Sequence, residues 1–230
     1  MKLTNLFIAI IIAFIGIGVA GVGSVLFLPE NGESVMPKKL TDQFETLPVD
    51  LPKPRLTGDV SLEQALLQRR SVRRFDKTPL TLAQVSQLLW AAQGTTHPSG
   101  FRTSPSAGAL FPLEVVLVAD RVEGIAPGVY RYLPSSHQLV KEKDDIRLNN
   151  LAAAGLGQAA IRQAPGVIVI SGIFSRTTGK YGKRGIQYVF MEAGHAGQNI
   201  LLQATACGLA GVPIGAFDDD KVSRLMELRD

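Results

Sequence analysis

The chain predicts an α+β fold, and three observations carry that expectation. Two apolar runs, LEVVLVA at 113–119 and GVIVISGIF at 166–174, have the length and β-branched content of buried strands. Segments with apolar residues at helical spacing surround them without strict strand–helix alternation. Two further runs, 129–133 and 138–141, flank Pro134, Ser135, Ser136 and His137, the pattern of an antiparallel hairpin rather than of a doubly wound parallel sheet.

At the amino end, residues 6–28 run for 23 positions without a charge. At helical rise that length spans a bilayer core, so residues 1–28 read as a membrane anchor. A cleaved signal segment is the rival, because Gly18, Val19 and Ala20 form a small-x-small site after a shorter apolar run. Lys2 before the run casts a mild vote for a single pass with the domain outside the cytoplasmic membrane. Residues 29–58 read as a linker, since Pro29, Pro37, Pro48, Pro52 and Pro54 interrupt any regular period. The domain proper is expected over 59–230.

Within that domain, Ser61 with Gln64 forms a capping-box pattern that opens a short helix ending near Arg70. Thr81 with Gln84 opens a second helix, with Leu82, Val85, Leu88, Leu89 and Ala92 on one face and Gly94 as its stop. The strand at 113–119 and the hairpin follow. A helix is expected over 144–158, the second buried strand over 166–174, and a long helix from about 185 to 206, stopped by Gly208. A short strand over 212–217 then leads into a last helix capped by Asp218.

Composition excludes some functions. The 230 residues have room for one ordinary domain and an appendage; 46% are hydrophobic and 19% charged. The net charge of +4 comes without a basic stripe interleaved with aromatics, which argues against nucleic acid. Cys207 is the single cysteine, so no intrachain disulfide and no thiolate metal site can form from one chain. Glu192 and His195 have the i, i+3 spacing of a carboxylate–histidine metal motif, but the further ligands such a site needs are missing, and no metal is expected.

Three segments carry candidate chemistry. RRSVRRF at 69–75 places four guanidinium groups and a hydroxyl within seven residues, and guanidinium forks match phosphate oxygens in pairs. A solvated basic turn is the plainer alternative. SPSAGALFP at 104–112 is small and polar up to its glycine, so its backbone can approach a ligand closely. GVPIGAFD at 211–218 lacks side-chain bulk at a strand end, where a flat ring could lie against backbone amides. Each of the last two could equally be an ordinary loop or turn. Their conjunction, in this order, is far more specific than any one.

RRSVRRF, PSAGALFPLEV, EAGHAGQN and GVPIGAFDDD resemble the nitroreductase-type flavin enzymes, and most of all the SagB-type branch, the azoline dehydrogenases of modified-peptide clusters. The resemblance covers about 170 residues, from Ser61 to the last residue. It implies a central mixed β-sheet packed between helices, in an obligate homodimer with flavin mononucleotide (FMN) at the subunit interface. By the same resemblance Arg69, Arg70, Ser71 and Arg73 hold the flavin phosphate and ribityl chain. Pro105 and Ser106 line the flavin from the partner side, and the backbone of Gly215 and Ala216 lies beside its reactive nitrogen. Lys180 and Tyr181 match a pair that assists proton removal in that branch, where a lysine acts as base only if desolvation or nearby cations depress its pKa. An exposed basic loop is the alternative for the same two residues.

The resemblance also implies a further strand after the final helix, carrying a basic residue near the phosphate, and this sequence departs from that pattern by stopping at Asp230. The expected activity is two-electron hydride transfer, as a SagB-type dehydrogenase acting on a small-molecule or peptide substrate. The alternatives are a nitro- or quinone-type reductase using NAD(P)H as electron donor, and a non-enzymatic, membrane-anchored flavin-binding scaffold.

Overall fold

Alternation along two strands sets the layers of the molecule. Leu113, Val115, Leu117 and Ala119 enter one hydrophobic core together with Ile168 and Ile170, while Val116, Val118, Val167 and Val169 enter a second core on the opposite face. A period of two can only do this in extended chain, so the sheet is buried on both sides and needs a layer of helices on each.

The computed structural model describes residues 10–16, 47–144 and 148–226. Its strands are β1 (Ile10–Gly16), β2 (Val49–Asp50), β3 (Leu113–Ala119), β4 (Gly128–Leu133), β5 (Gln138–Lys143), β6 (Gly166–Gly172) and β7 (Leu209–Ile214), in the order β2-β5-β4-β3-β6-β1-β7. The helices are α1 (Leu62–Gln68), α2 (Leu82–Gln93), α3 (Leu148–Ala154), α4 (Ala159–Gln163), α5 (Phe174–Tyr181), α6 (Arg184–Ala206) and α7 (Asp219–Met226). Helices α2 and α6 cover one face, with Leu88, Leu89, Val189, Ala193 and Ile200 in its core. Helices α3, α4 and α7 cover the other, through Leu151, Ile161 and Val222.

Both capping boxes form: the Ser61 and Thr81 hydroxyls accept from the Gln64 and Gln84 N–H groups, and both glutamine side chains return the bond. The helix expected over 144–158 is shorter, because the chain turns through Leu156 and Gly157 at positive φ before α4 begins. The strand expected over 166–174 ends at Gly172, and 174–181 is helical. Gly182, at φ 55°, ends α5, and Gly185 seats the start of α6 where a Cβ would lie 2.9 Å from the Thr177 carbonyl.

Two expectations are corrected. The sheet is antiparallel rather than mixed: each ladder between the described strands is antiparallel, and parallel pairing is confined to isolated bridges such as Ser71 with Gly211. The physical reason is β1, which lies between β6 and β7 and runs opposite to both, so those two strands never bond each other directly.

The same strand bears on the membrane anchor. Residues 10–16 of the expected span are extended, pairing Ile10 with Ile170 and Ile11 with Ile214. Among the described residues no helix is long and apolar enough to cross a membrane. The anchor, and with it the membrane-anchored localisation, is therefore not supported. An isoleucine-rich run suits a ladder as well as a bilayer, because β-branched side chains favour extended backbone. The rest of the expected span, residues 6–9 and 17–28, lies outside the described residues. So does 29–46 of the expected linker, whose end packs on the domain through the pairing of Val49 with Leu139 and the burial of Leu51.

Candidate functional site

The carboxyl ends of β6 and β7 and the amino end of β3 share one end of the sheet, since Leu113 pairs with Gly172 and the β1 register aligns Val169 with Ile214 through Ile11. Segments 104–112, 173–182 and 215–218 all leave or enter the sheet there. From β3 to β7 is three strand steps, about 14 Å at ordinary spacing.

The 104–112 loop is gripped from beneath and bent at its tip. Buried Ser104 donates to the Ala92 carbonyl at 2.8 Å, and Asn199 of α6 donates to Thr103 O and Ser104 Oγ. Phe111 N–H donates to Ser106 Oγ at 2.9 Å, closing the loop on itself. Gly108, Ala109 and Phe111 all have positive φ, at 63°, 54° and 44°. For the two non-glycine residues this conformation is costly, and backbone strain of that kind persists only where surrounding contacts impose it. Arg176 supplies one such contact, donating to the Phe111 carbonyl at 3.0 Å while pairing with Glu114 at 2.7 Å.

Lys180 and Tyr181 end α5 directly over that tip. A Cβ built on Gly108 would lie 2.8 Å from Tyr181 Oη and 3.0 Å from Lys180 Nζ, so the glycine supplies both the backbone angle and the room. Tyr181 is held edge-on by Tyr188 of α6, with ring centroids 5.2 Å apart, and Lys180 Nζ stands 5.4 Å from the Tyr181 ring. The structure thus joins two sequence-predicted groups, Lys180 with Tyr181 and the Pro105–Ser106 loop, that lie some 75 residues apart.

The basic segment is joined to the other one. Val72 N–H donates to Gly211 O at 3.1 Å beside the Ser71–Gly211 bridge, which lays Arg69, Arg70, Ser71 and Arg73 along β7. Arg70 donates to the carbonyls of Leu67 and Arg69, and Arg73 is exposed; none of the three arginines at 69, 70 and 73 enters an ion pair among the described residues. Gly215 and Ala216 are exposed, open space lies where a Gly215 Cβ would stand, and Gln158 fixes the turn by donating to the Ala216 carbonyl at 2.9 Å. Exposed guanidinium groups fit an anionic tail, and an open, side-chain-free strand end fits a flat ring. Two half-sites result: 104–111 meets 180–181 at the sheet end, while 69–73 runs parallel to β7 beside Gly211, four residues before Gly215.

Sequence reasoning missed a buried cluster behind the loop. Glu192 of α6 is 3% exposed, and burial raises its pKa to about 7 against the smaller opposing influences of Ser106, Arg102 and Gln93. Its Oε1 and the Nε2 of fully buried Gln93 both lack a hydrogen-bond partner. Arg102 donates to Gln93 Oε1 at 3.0 Å and lies 4.2 Å over the Phe111 ring; desolvation lowers its pKa. The signal was Glu192 on a helix whose neighbours Val189, Ala193 and Ala196 are core, but read with His195 it suggested only a metal motif. His195 is exposed, and among the described residues no metal-ligating cluster exists.

The profile of the Nitroreductase family matches residues 66–230. A provisionally named nitroreductase of Methanocaldococcus jannaschii, MJ1384, is 41% identical over 186 residues, covering 81% of this chain and 92% of the relative. The microcin B17-processing protein McbC of Escherichia coli is 28% identical over 222 residues, covering 90% and 81%. Among solved structures, a nitroreductase-like protein from Ralstonia eutropha superposes with a TM-score of 0.68 at 27% identity, covering 88% of this chain and 92% of that one. One from Anabaena variabilis gives 0.65 at 29%, with 73% of this chain spanning only 35% of that longer chain. The McbBCD microcin synthetase of E. coli, bound to truncated pro-MccB17, gives 0.59 at 26%, covering 86% and 79%. The family and the branch read from the sequence motifs are the ones these likenesses support.

Proposed function

Because the chain belongs to the nitroreductase family, we propose that it is an FMN-dependent oxidoreductase performing hydride transfer, and within that family a SagB-type dehydrogenase of a small or peptidic substrate. The observation that carries the finer reading is the meeting of Lys180 and Tyr181 with Gly108, which sets an amine and a phenol over the loop expected to line the flavin. The McbC likeness supports the same branch, and McbC's assembly holds a peptide, truncated pro-MccB17.

In this reading Arg69, Arg70, Ser71 and Arg73 hold the phosphate and ribityl chain by charge-assisted bonds. The Gly215 and Ala216 backbone stabilises negative charge beside the ring. Pro105 and Ser106 cover the ring from the partner subunit. Lys180 takes or relays a substrate proton, and Tyr181 orients it. Bound flavin supplies a two-electron acceptor. A homodimer suits the exposed apolar groups on α6 and α1, namely Phe190 and Met191 with Leu62, Leu66 and Leu67. The flavin domain of this proposal is 59–230 with the linker 29–58 before it, the end of which, from Val49, pairs with β5.

A second reading, reduction of an electron-poor acceptor with NAD(P)H as donor, is favoured by the 41% identity to a protein named as a nitroreductase. The full chain purified with added FMN separates them. Under the first reading the bound flavin is bleached by an azoline-bearing peptide without NAD(P)H. Under the second NADH or NADPH bleaches it and a quinone restores the colour. A chain that never retains FMN fails both.

A further inference from the structure

The groups behind the 104–111 loop form a chain that ends on a buried carboxyl. Gln93 accepts from Arg102, Arg102 covers Phe111, and Phe111 N–H donates to Ser106; Glu192, whose Oε1 makes no hydrogen bond, is within electrostatic reach of Ser106, Arg102 and Gln93. Gln93 cannot turn its amide round, because its Oε1 must face the Arg102 guanidinium. Its NH₂ is thereby directed to the carboxyl side. Glu192 sits at 3% exposure with an oxygen that no donor satisfies, which is an expensive state for a carboxylate and an easy one for a carboxylic acid whose own O–H can donate to Ser106 Oγ.

Resting on the flavin reading above, we propose that Glu192 is a positioning residue for the flavin-lining loop: as a neutral acid it braces Ser106 and leaves the Arg102 guanidinium on Phe111, and on ionisation it draws that guanidinium to itself and releases the loop tip. The loop stores strain at Ala109 and Phe111, so loss of the brace lets it relax away from Lys180 and Tyr181. Among the described residues, Arg102 of the segment before the loop acts on Glu192, and Glu114 of β3, Arg176 of α5 and Tyr132 of β4 act on Arg102. His195, on the same helix as Glu192, is exposed.

The test titrates FMN into the full-length chain and into Glu192→Gln, following flavin absorbance and fluorescence from pH about 5.5 to about 8.5. Wild-type affinity is expected to fall about tenfold across the range, the effect of one charge-assisted contact, while Glu192→Gln keeps its low-pH affinity throughout. The second measurement needs neither flavin nor the variant's stability: the infrared carbonyl band of a protonated carboxylic acid, present in wild type at pH about 5.5 and lost as pH rises through about 7. Parallel pH profiles for the two proteins, or a wild type with no such band at low pH, would overturn the proposal. A wild type that shows the titrating band but binds no FMN would instead retire the flavin reading and leave the ionisation of Glu192 standing.

Discussion

The two half-sites are built on opposite plans. The loop half, 104–111 with Lys180 and Tyr181, is held by hydrogen bonds to α2, α5 and α6, by a cation over Phe111, and by a buried carboxyl. The arginine half rests on one backbone bond to β7 and leaves its side chains at the surface. A side that performs chemistry gains from groups fixed in place before the substrate arrives. A side that captures an anion can leave long cations to close around it, at a cost in rotamer entropy that charge-assisted bonds exceed. Under the proposed function, positioning falls to one half and capture to the other.

The largest effects test the positioning half. Lys180→Ala and Tyr181→Phe are each expected to lower turnover on the oxidisable substrate by about 10²- to 10⁴-fold, the range of general acid–base catalysis, with FMN affinity little changed. Stopped-flow bleaching of the bound flavin reads the step directly. Full turnover in both variants would sink the proton-transfer role. Gly108→Val comes next. It places a branched Cβ at φ 63° and within about 3 Å of Tyr181 Oη and Lys180 Nζ, so turnover should fall about a hundredfold through displacement of the pair, while Gly108→Ala costs less. If Gly108→Val is as active as wild type, the loop tip is not fixed and the comparison fails.

The capture half should respond in binding alone. Arg73→Ala, or Arg69→Ala, removes one charge-assisted bond to phosphate and should weaken FMN about ten- to a hundredfold, more at low salt than at high. The urea midpoint of the flavin-free protein should move little, because Arg73 makes only a long, exposed bond to the Ser71 carbonyl and neither side chain enters an ion pair among the described residues. A shifted midpoint would mean that the segment supports the fold and is no free-standing anion clamp.

How legible this was in the sequence follows from the same contrast. The capping boxes of α1 and α2, both buried strands, the hairpin and α6 announce themselves by local chemistry, and so does the arginine cluster. What stayed hidden depends on long-range contact. Helix α5, polar and eight residues long, takes shape against α6, and nothing local at Gly108 foretells Tyr181 beside it. The isoleucine run at 10–16 is ambiguous by nature: uncharged and β-branched, it satisfies a bilayer pattern and a ladder alike, and only pairing partners decide. Glu192 looked like half of a metal motif because spacing along a helix cannot say which of two residues is buried.

The smallest expected effect lies away from both half-sites and measures how far the fold depends on them. His137, at φ 53° in the β4–β5 turn, ties that hairpin to the segment before α1: Tyr132 Oη donates to Nδ1 at 2.9 Å, and Nε2–H faces the Pro52 carbonyl at 3.1 Å and Ser86 Oγ at 2.8 Å. Those roles require the neutral ring, since a proton on Nδ1 would confront the tyrosine donor. Burial accordingly lowers the His137 pKa, against a smaller raising influence from the Pro52 carbonyl. For a group whose folded pKa lies below its unfolded value, the stability it confers is complete above about 6.5, the ordinary histidine value, and is lost as pH falls through the depressed one. The His137 contribution to urea resistance, read as the difference between wild type and His137→Asn, should therefore shrink between pH about 7.5 and about 5. Glu192 moves the other way, since its raised pKa makes the protein more stable as pH falls through about 7. His137→Asn, which tolerates the left-handed angle, should start about 1 kcal/mol weaker for its lost hydrogen bond and show a flatter acid limb. Turnover per bound flavin should be unchanged, because the hairpin turn lies outside both half-sites. If His137→Asn also loses turnover at neutral pH, the turn and the loop half are mechanically coupled, and the positioning assigned to 104–111 extends across β4 and β5.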